Sequence, residues 1–212
     1  MIDKNEMKMT ELLCSKLCHD LISPIGAINN GLEFLQDESS EMANEASKLI
    51  DTSAKQAADR LAYFRLAFGV GGSDDLIAFK TVVELIEKFA IEKKIDVDWL
   101  GDDTLLQSNV EKFNGKLLLN LVLMASDCLP RGGRIEFSFE GNSRNPDFTA
   151  SINGDKCNLR DDVKSGLDEQ ISADSLTVRN ILAYYCRKLA KSCEKTLKLA
   201  DESPPLIVFK VS

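Results

Sequence analysis

The sequence predicts an α plus α/β protein: an antiparallel helical hairpin over residues 1–72, then an α/β sandwich over residues 73–212. Three observations predict it. Two long stretches with helical spacing flank a short polar turn. The run Gly71-Gly72-Ser73 then punctuates the chain. Beyond it, amphipathic helical segments alternate with segments of period two, the pattern of helices layered on a sheet.

The first helix is expected over about Lys8 to Gln36, roughly 40 Å at the usual rise. Along it Cys14, Cys18, Leu21, Ile25, Ile28, Leu32 and Leu35 recur in alternating steps of four and three, the period of a seam between helices. Asp37 to Ser40 reads as the turn, with Ser39 or Ser40 capping a second helix and Glu41 in its first turn. In that helix Ala43, Ala46, Ile50, Ala54, Ala57, Leu61, Phe64 and Phe68 keep helical spacing up to Gly69. A hairpin of this kind cannot hide all its apolar surface alone. Pairing two about a twofold axis gives a four-helix bundle, so a homodimer is expected. Packing of the hairpin on its own C-terminal domain stays open as the other solution.

Further along, Phe79 to Lys93 reads as a helix and Ile95 to Leu100 as a strand. Val110 to Cys128 is a strongly apolar helix, stopped by Pro130 and the Gly132-Gly133 turn. Arg134 to Glu140 places Ile135, Phe137 and Phe139 on one face, and Asp147 to Asn153 is its antiparallel neighbour. Ser172 to Glu194 is expected to be one helix. A hairpin of Thr196–Leu199 and Leu206–Val211 around Ser203-Pro204-Pro205 closes the chain.

Composition narrows the function. A hydrophobic share of 44% and a charged share of 28% are ordinary for a soluble chain. A net charge of −8 argues against a nucleic-acid partner, which favours a basic stripe. No apolar run reaches a membrane span and residues 1–10 have no signal-peptide core, so the expected address is cytoplasmic. Six cysteines show no metal-ribbon or redox spacing; Cys14 and Cys18 read as small buried seam residues, and no metal or cofactor is expected.

His19 is the only histidine, set in His19-Asp20-x-x-x-Pro24. If Cys18 lies in the seam, His19 sits about 100° round the helix, near solvent. An exposed imidazole has a nucleophilic ring nitrogen that can carry a phosphoryl group. Asp20 can orient the other nitrogen. Pro24 lacks the amide hydrogen that would bond the Asp20 carbonyl, and so bends the helix one turn beyond the histidine. Ser15, Lys16, Ile22, Ser23 and Gly26 flank His19 as a candidate docking patch. Antiparallel pairing brings Lys55 and Arg60 near as cations for an acidic partner, with Ala57 and Ala58 level with His19.

The stretch Cys18-His19-Asp20-Leu21-Ile22-Ser23-Pro24-Ile25-Gly26-Ala27-Ile28-Asn29-Asn30-Gly31 resembles the phosphoacceptor box of bacterial histidine kinases, and more closely that of the ChpT family of histidine phosphotransferases. Tyr63-Phe64-Arg65-Leu66-Ala67-Phe68-Gly69 and Leu129-Pro130-Arg131-Gly132-Gly133 also resemble that family. The resemblance implies a dimeric phosphorelay intermediate acting through His19. It exchanges phosphoryl groups with receiver domains of a hybrid histidine kinase and of cell-cycle response regulators, which bring the magnesium.

The C-terminal order resembles the ATP-binding domain of histidine kinases without its nucleotide motifs. Asn120-Leu121-Val122-Leu123-Met124-Ala125 aligns with the kinase asparagine box, but Met124 stands in place of the second asparagine, and a thioether is a poor magnesium ligand. Ser151-Ile152-Asn153-Gly154-Asp155-Lys156 lacks the aspartate-glycine-x-glycine pattern, and Ser172-Ala173-Asp174-Ser175-Leu176 has no glycine. Neither ATP binding nor autophosphorylation is expected. Two other readings stay open on sequence alone: an autophosphorylating kinase with a divergent ATP site, and a dimeric adaptor whose histidine is incidental.

Overall fold

A computed structural model describes residues 4–35, 40–70, 75–101 and 103–212. Helix α1 (Lys4–Phe34) and helix α2 (Ser40–Phe68) form the hairpin. The expected turn residues Asp37 to Ser39 and the run Gly71-Gly72-Ser73 lie outside the described residues. After them come β1 (Leu76–Ala78), α3 (Phe79–Lys93), β2 (Ile95–Leu100), α4 (Asp103–Leu106), β3 (Asn109–Glu111), α5 (Lys112–Cys128), β4 (Gly133–Glu140), β5 (Asp147–Asn153), α6 (Asp161–Ser165), α7 (Ile181–Ser192), β6 (Leu197–Ser203) and β7 (Leu206–Val211).

The α plus α/β architecture is the one the sequence predicts. The main sheet runs β2-β4-β5-β7-β6, with β2 parallel to β4 and every other pair antiparallel. Alternation puts Ile135, Phe137, Phe148, Ala150, Ile152, Ile207, Phe209 and Val211 on the buried face, where they join one core with α3, α5 and α7. Gly132 makes the parallel pairing possible. Its φ is +82°, and a Cβ there would stand 2.2 Å from the Lys94 carbonyl oxygen. That close approach lets the Gly133 amide reach the same carbonyl at 3.1 Å and start the β2–β4 register.

Inside the hairpin the buried line of α1 is Leu13, Pro24 and Gly31, with Leu17 half-buried between. Gly31 is there because the helices touch: a Cβ would come within 2.6 Å of Ile50 Cγ1. The line Cys14, Cys18, Ile25, Leu32 and Leu35 is exposed in the single chain, so the two cysteines are not buried as expected. The hairpin closes on the neighbouring line, where Pro24 is buried and the missing side chain of Gly31 lets α2 approach more closely than Leu32 would.

The hairpin is also welded to the α/β layer. Tyr63, Phe64 and Ala67 are buried in the common core, and the Tyr63 hydroxyl donates to the Leu119 carbonyl at 2.6 Å. The last turn of α2 is capped from α5: Lys116 donates to the Gly69 carbonyl, and Asn120 Nδ2 to the Ala67 carbonyl at 3.0 Å.

Two local expectations are corrected. The 172–194 helix is broken. A short 3-10 turn covers Ala173–Ser175, and α7 begins only at Ile181. Between them Asn180 accepts from the Thr177 amide at 2.8 Å and donates to the Ser175 carbonyl, offering the backbone an alternative to helix. Val110 belongs to a strand, since β3 pairs with β1 before α5 starts. Arg60 lies near the histidine box, as the antiparallel pairing implies, and bonds the Asp20 backbone.

Candidate functional site

His19 lies in the middle of α1 with its side chain 81% exposed, as its place beside the apolar lines requires. Its Nδ1 is 3.2 Å from Asp20 Oδ1. A carboxylate can only accept, so this contact puts the ring proton on Nδ1 and leaves the lone pair on Nε2. The result is an imidazole with a nucleophilic nitrogen outside the contact, on an open helix face.

Asp20 is held on all sides. Its Oδ2 meets Lys16 Nζ at 3.3 Å, one turn back on the same helix. Lys16 also reaches Asp127 Oδ2, in the last turn of α5, at 3.8 Å. The Asp127 side chain keeps 44% exposure, yet the surrounding protein displaces enough water to raise its pKa; Lys16 opposes that rise and Asp20 adds to it. The Asp20 carbonyl, freed of its helical partner by Pro24, accepts from Arg60 Nη1.

Arg60 is therefore not the free docking cation the sequence suggested. It is 14% exposed, and its Nε and Nη2 hold the two oxygens of Glu92 on α3. Lys55 stays exposed on a shallow groove between α2 and α3, near Asp59 and Ile91. Ser15, Ile22 and Ser23 are exposed and Gly26 is partly so, and with His19 they share one face of α1. A Cβ on Gly26 would meet nothing within 4 Å, so no backbone of this chain presses there. Sequence reasoning missed Glu92 and Asp127, which carry no motif and reach the site only through tertiary packing.

In the α/β layer, the residues aligned with a kinase asparagine box are used for packing. Asn120 is fully buried; its amide nitrogen is spent on Ala67 and Lys116, and its oxygen is sealed in the core. Met124 is buried beside it. Cys157, Leu159, Val163 and Leu176, from the segment between β5 and α7, pack into the same core. Among the described residues no helix is long and apolar enough to cross a membrane, and no cluster of metal-ligating side chains is found.

Comparison with known proteins agrees with this geometry. The family model for the histidine phosphotransferase C-terminal domain matches residues 79–204. A curated relative, the protein phosphotransferase ChpT of Brucella abortus (strain 2308), is 38% identical over 144 residues. That alignment spans 68% of this chain and 66% of the relative, just under two thirds of its length. A solved structure of a bacterial phosphotransferase superposes with a TM-score of 0.84 at 28% identity, covering 100% of this chain and 98% of the other.

Proposed function

The chain belongs to the histidine phosphotransferase family, and from that premise we propose that it is a phosphorelay intermediate whose phosphoacceptor is His19 Nε2. The single observation that carries the assignment is the His19–Asp20 contact, which leaves the distal nitrogen as the free nucleophile on an exposed face.

In the forward step the Nε2 lone pair attacks the phosphorus of an aspartyl phosphate on a receiver domain. The N–P bond forms, the P–O bond to the aspartate breaks, and the receiver's carboxylate is regenerated. The ring becomes a phospho-imidazolium with its proton still on Nδ1, and the Asp20 carboxylate offsets that positive charge. Transfer to a second receiver reverses these bonds. The receiver brings the magnesium that screens the phosphoryl oxygens; this chain brings a positioned nucleophile.

Receiver domains of a hybrid histidine kinase and of response regulators that control the cell cycle are the partners this reading requires. They land on Ser15, Ile22, Ser23 and Gly26, with Lys55 at the rim; Lys16, paired with Asp20 and Asp127, serves the site from within. The exposed line Cys14, Cys18, Ile25, Leu32 and Leu35, with Met42, Leu49 and Leu61 on α2, supports a homodimer in which two hairpins form a four-helix bundle. Residues 1–72 then act as the dimerisation and phosphotransfer domain of a cytoplasmic protein. Residues 73–212 act as a degenerate ATPase-like domain that binds no ATP.

The test is transfer from a phosphorylated receiver to the wild-type protein, His19→Ala and His19→Gln. Acid-labile phosphate is expected on the wild type alone, with all three dimeric by light scattering. Label on His19→Gln would exclude the assignment. A saturable calorimetric signal with magnesium-ATP would favour an autophosphorylating kinase instead.

A further inference from the structure

Pro24 carries no amide hydrogen and so leaves the Asp20 carbonyl without its helical donor, and the fold supplies one from elsewhere. Arg60 Nη1 donates to that carbonyl. The other edge of the same guanidinium grips Glu92 through Nε (3.1 Å to Oε2) and Nη2. A planar fork holding both carboxylate oxygens has its plane fixed by them, so the third donor is aimed rather than left to wander. Both side chains are largely withdrawn from solvent, at 14% and 18% exposure. On the opposite side, Lys16 ties Asp20 Oδ2 towards Asp127 on α5. Asp20 is thus held at its carbonyl by Arg60 of α2, which α3 braces through Glu92, and at one carboxylate oxygen by Lys16 of α1, which α5 braces through Asp127. Its remaining oxygen faces His19 Nδ1.

We infer that Arg60, oriented by Glu92, is a positioning residue: it substitutes for the amide lost at Pro24 and thereby fixes Asp20 and the His19 ring. The inference rests on His19 as phosphoacceptor and deepens that reading. It also gives the α/β layer a task that needs no nucleotide. α3 and α5 hold the two groups that set the imidazole's direction. A surface ion pair would merely staple two helices. This pair closes on a carbonyl that exists as an orphan only because residue 24 is proline, and that difference is measurable.

Restoring the amide by Pro24→Ala should make Arg60 dispensable. The experiment uses the full chain carrying Arg60→Gln, Pro24→Ala or both, with two readouts. The first is the ¹⁵N spectrum of the imidazole, which belongs to one residue because His19 is the only histidine. The second is single-turnover phosphorylation of His19 by a phosphorylated receiver and by phosphoramidate, a small donor that needs no docking.

Arg60→Gln is expected to turn one Nδ1-protonated tautomer into a mixture. It should slow the step at least tenfold with either donor, with less than a twofold change in the receiver concentration for half-saturation. In the Pro24→Ala background the same substitution should cost less than threefold. Equal losses in both backgrounds, a loss confined to receiver binding, or an unchanged imidazole spectrum would overturn the inference. If Arg60→Gln does not fold, Glu92→Gln carries the same comparison, since it removes the charge that orients the fork. If the wild type takes phosphate from neither donor, the phosphorelay reading fails, and the tautomer readout still decides the role of Arg60.

Discussion

Two glycines on one helix should respond to the same substitution with opposite sign. At Gly31 an added Cβ would lie 2.6 Å from Ile50 Cγ1 and 3.2 Å from the Ala46 carbonyl oxygen. Ile50 is β-branched and stiff at that atom, and the carbonyl is backbone, so the two helices must separate. Overpacking of this kind costs about 1–3 kcal/mol. Because stiff and backbone atoms block the Cβ, the upper half of that range applies; alanine returns about 0.5–1 kcal/mol of it, so Gly31→Ala should lose about 1–2.5 kcal/mol. At Gly26 nothing lies within 4 Å, so Gly26→Ala should keep its whole gain of about 0.5–1 kcal/mol. For a chain of this size each kcal/mol moves Tm by about 2–4 °C. The expected order of Tm is Gly26→Ala above wild type above Gly31→Ala, by thermal and urea denaturation at one protomer concentration. A Gly31→Ala variant as stable as wild type would refute the close helix approach. A destabilised Gly26→Ala would mean that the assembled protein brings another backbone to that face.

Other expectations follow from the site and its surroundings. Gly26→Leu should slow transfer from a receiver at least tenfold, about 1.4 kcal/mol, at unchanged helicity; unchanged kinetics would remove Ile22, Ser23 and Gly26 from the docking patch. Asp127 has a folded-state pKa raised by desolvation, so its contribution is fully present below its unfolded value near 3.8 and is lost as pH rises through the raised one. Asp127→Asn should therefore be neutral to stabilising at pH 7, within about 1 kcal/mol given the partly exposed Lys16 pair, and the difference should vanish below pH 3.8; a clear loss at pH 7 would show that the ion pair dominates. If the proposed dimer forms through the exposed α1 line, Leu32→Glu should give a monomer in light scattering where wild type is dimeric, and should speed alkylation of Cys14 and Cys18. The buried thiols, with Cys128 pushed up to about 12 and Cys193 to about 11, should stay protected in both forms. Equal labelling of Cys14 and Cys18 in the two forms would leave their line uncovered.

The hairpin and sheet were legible because amphipathic periodicity survives in the letters, as in Ile135, Phe137 and Phe139 of β4. Which line of α1 packs inside the hairpin was not. The line that closes is built on Pro24 and Gly31, residues with little hydrophobic signal, while the more apolar line through Ile25 and Leu32 faces out of the single chain. The break before α7 was hidden because Thr177 and Asn180 act through side-chain bonds that no apolar pattern records. At the site, His19, Asp20 and the effect of Pro24 could be read directly from the box. The answer to the question Pro24 poses, which group serves the orphaned carbonyl, lies 40 residues away on α2 and depends on Glu92 beyond it.

The most direct measurement is the ³¹P spectrum of the protein after charging from a phosphorylated receiver, read with the phosphorus coupling to the single imidazole. The account predicts one acid-labile, base-stable phosphoryl group per protomer, on Nε2 of His19, absent from His19→Gln. Phosphate on Nδ1, on any other residue, or retained wholly by the receiver under conditions where the two proteins bind would contradict it.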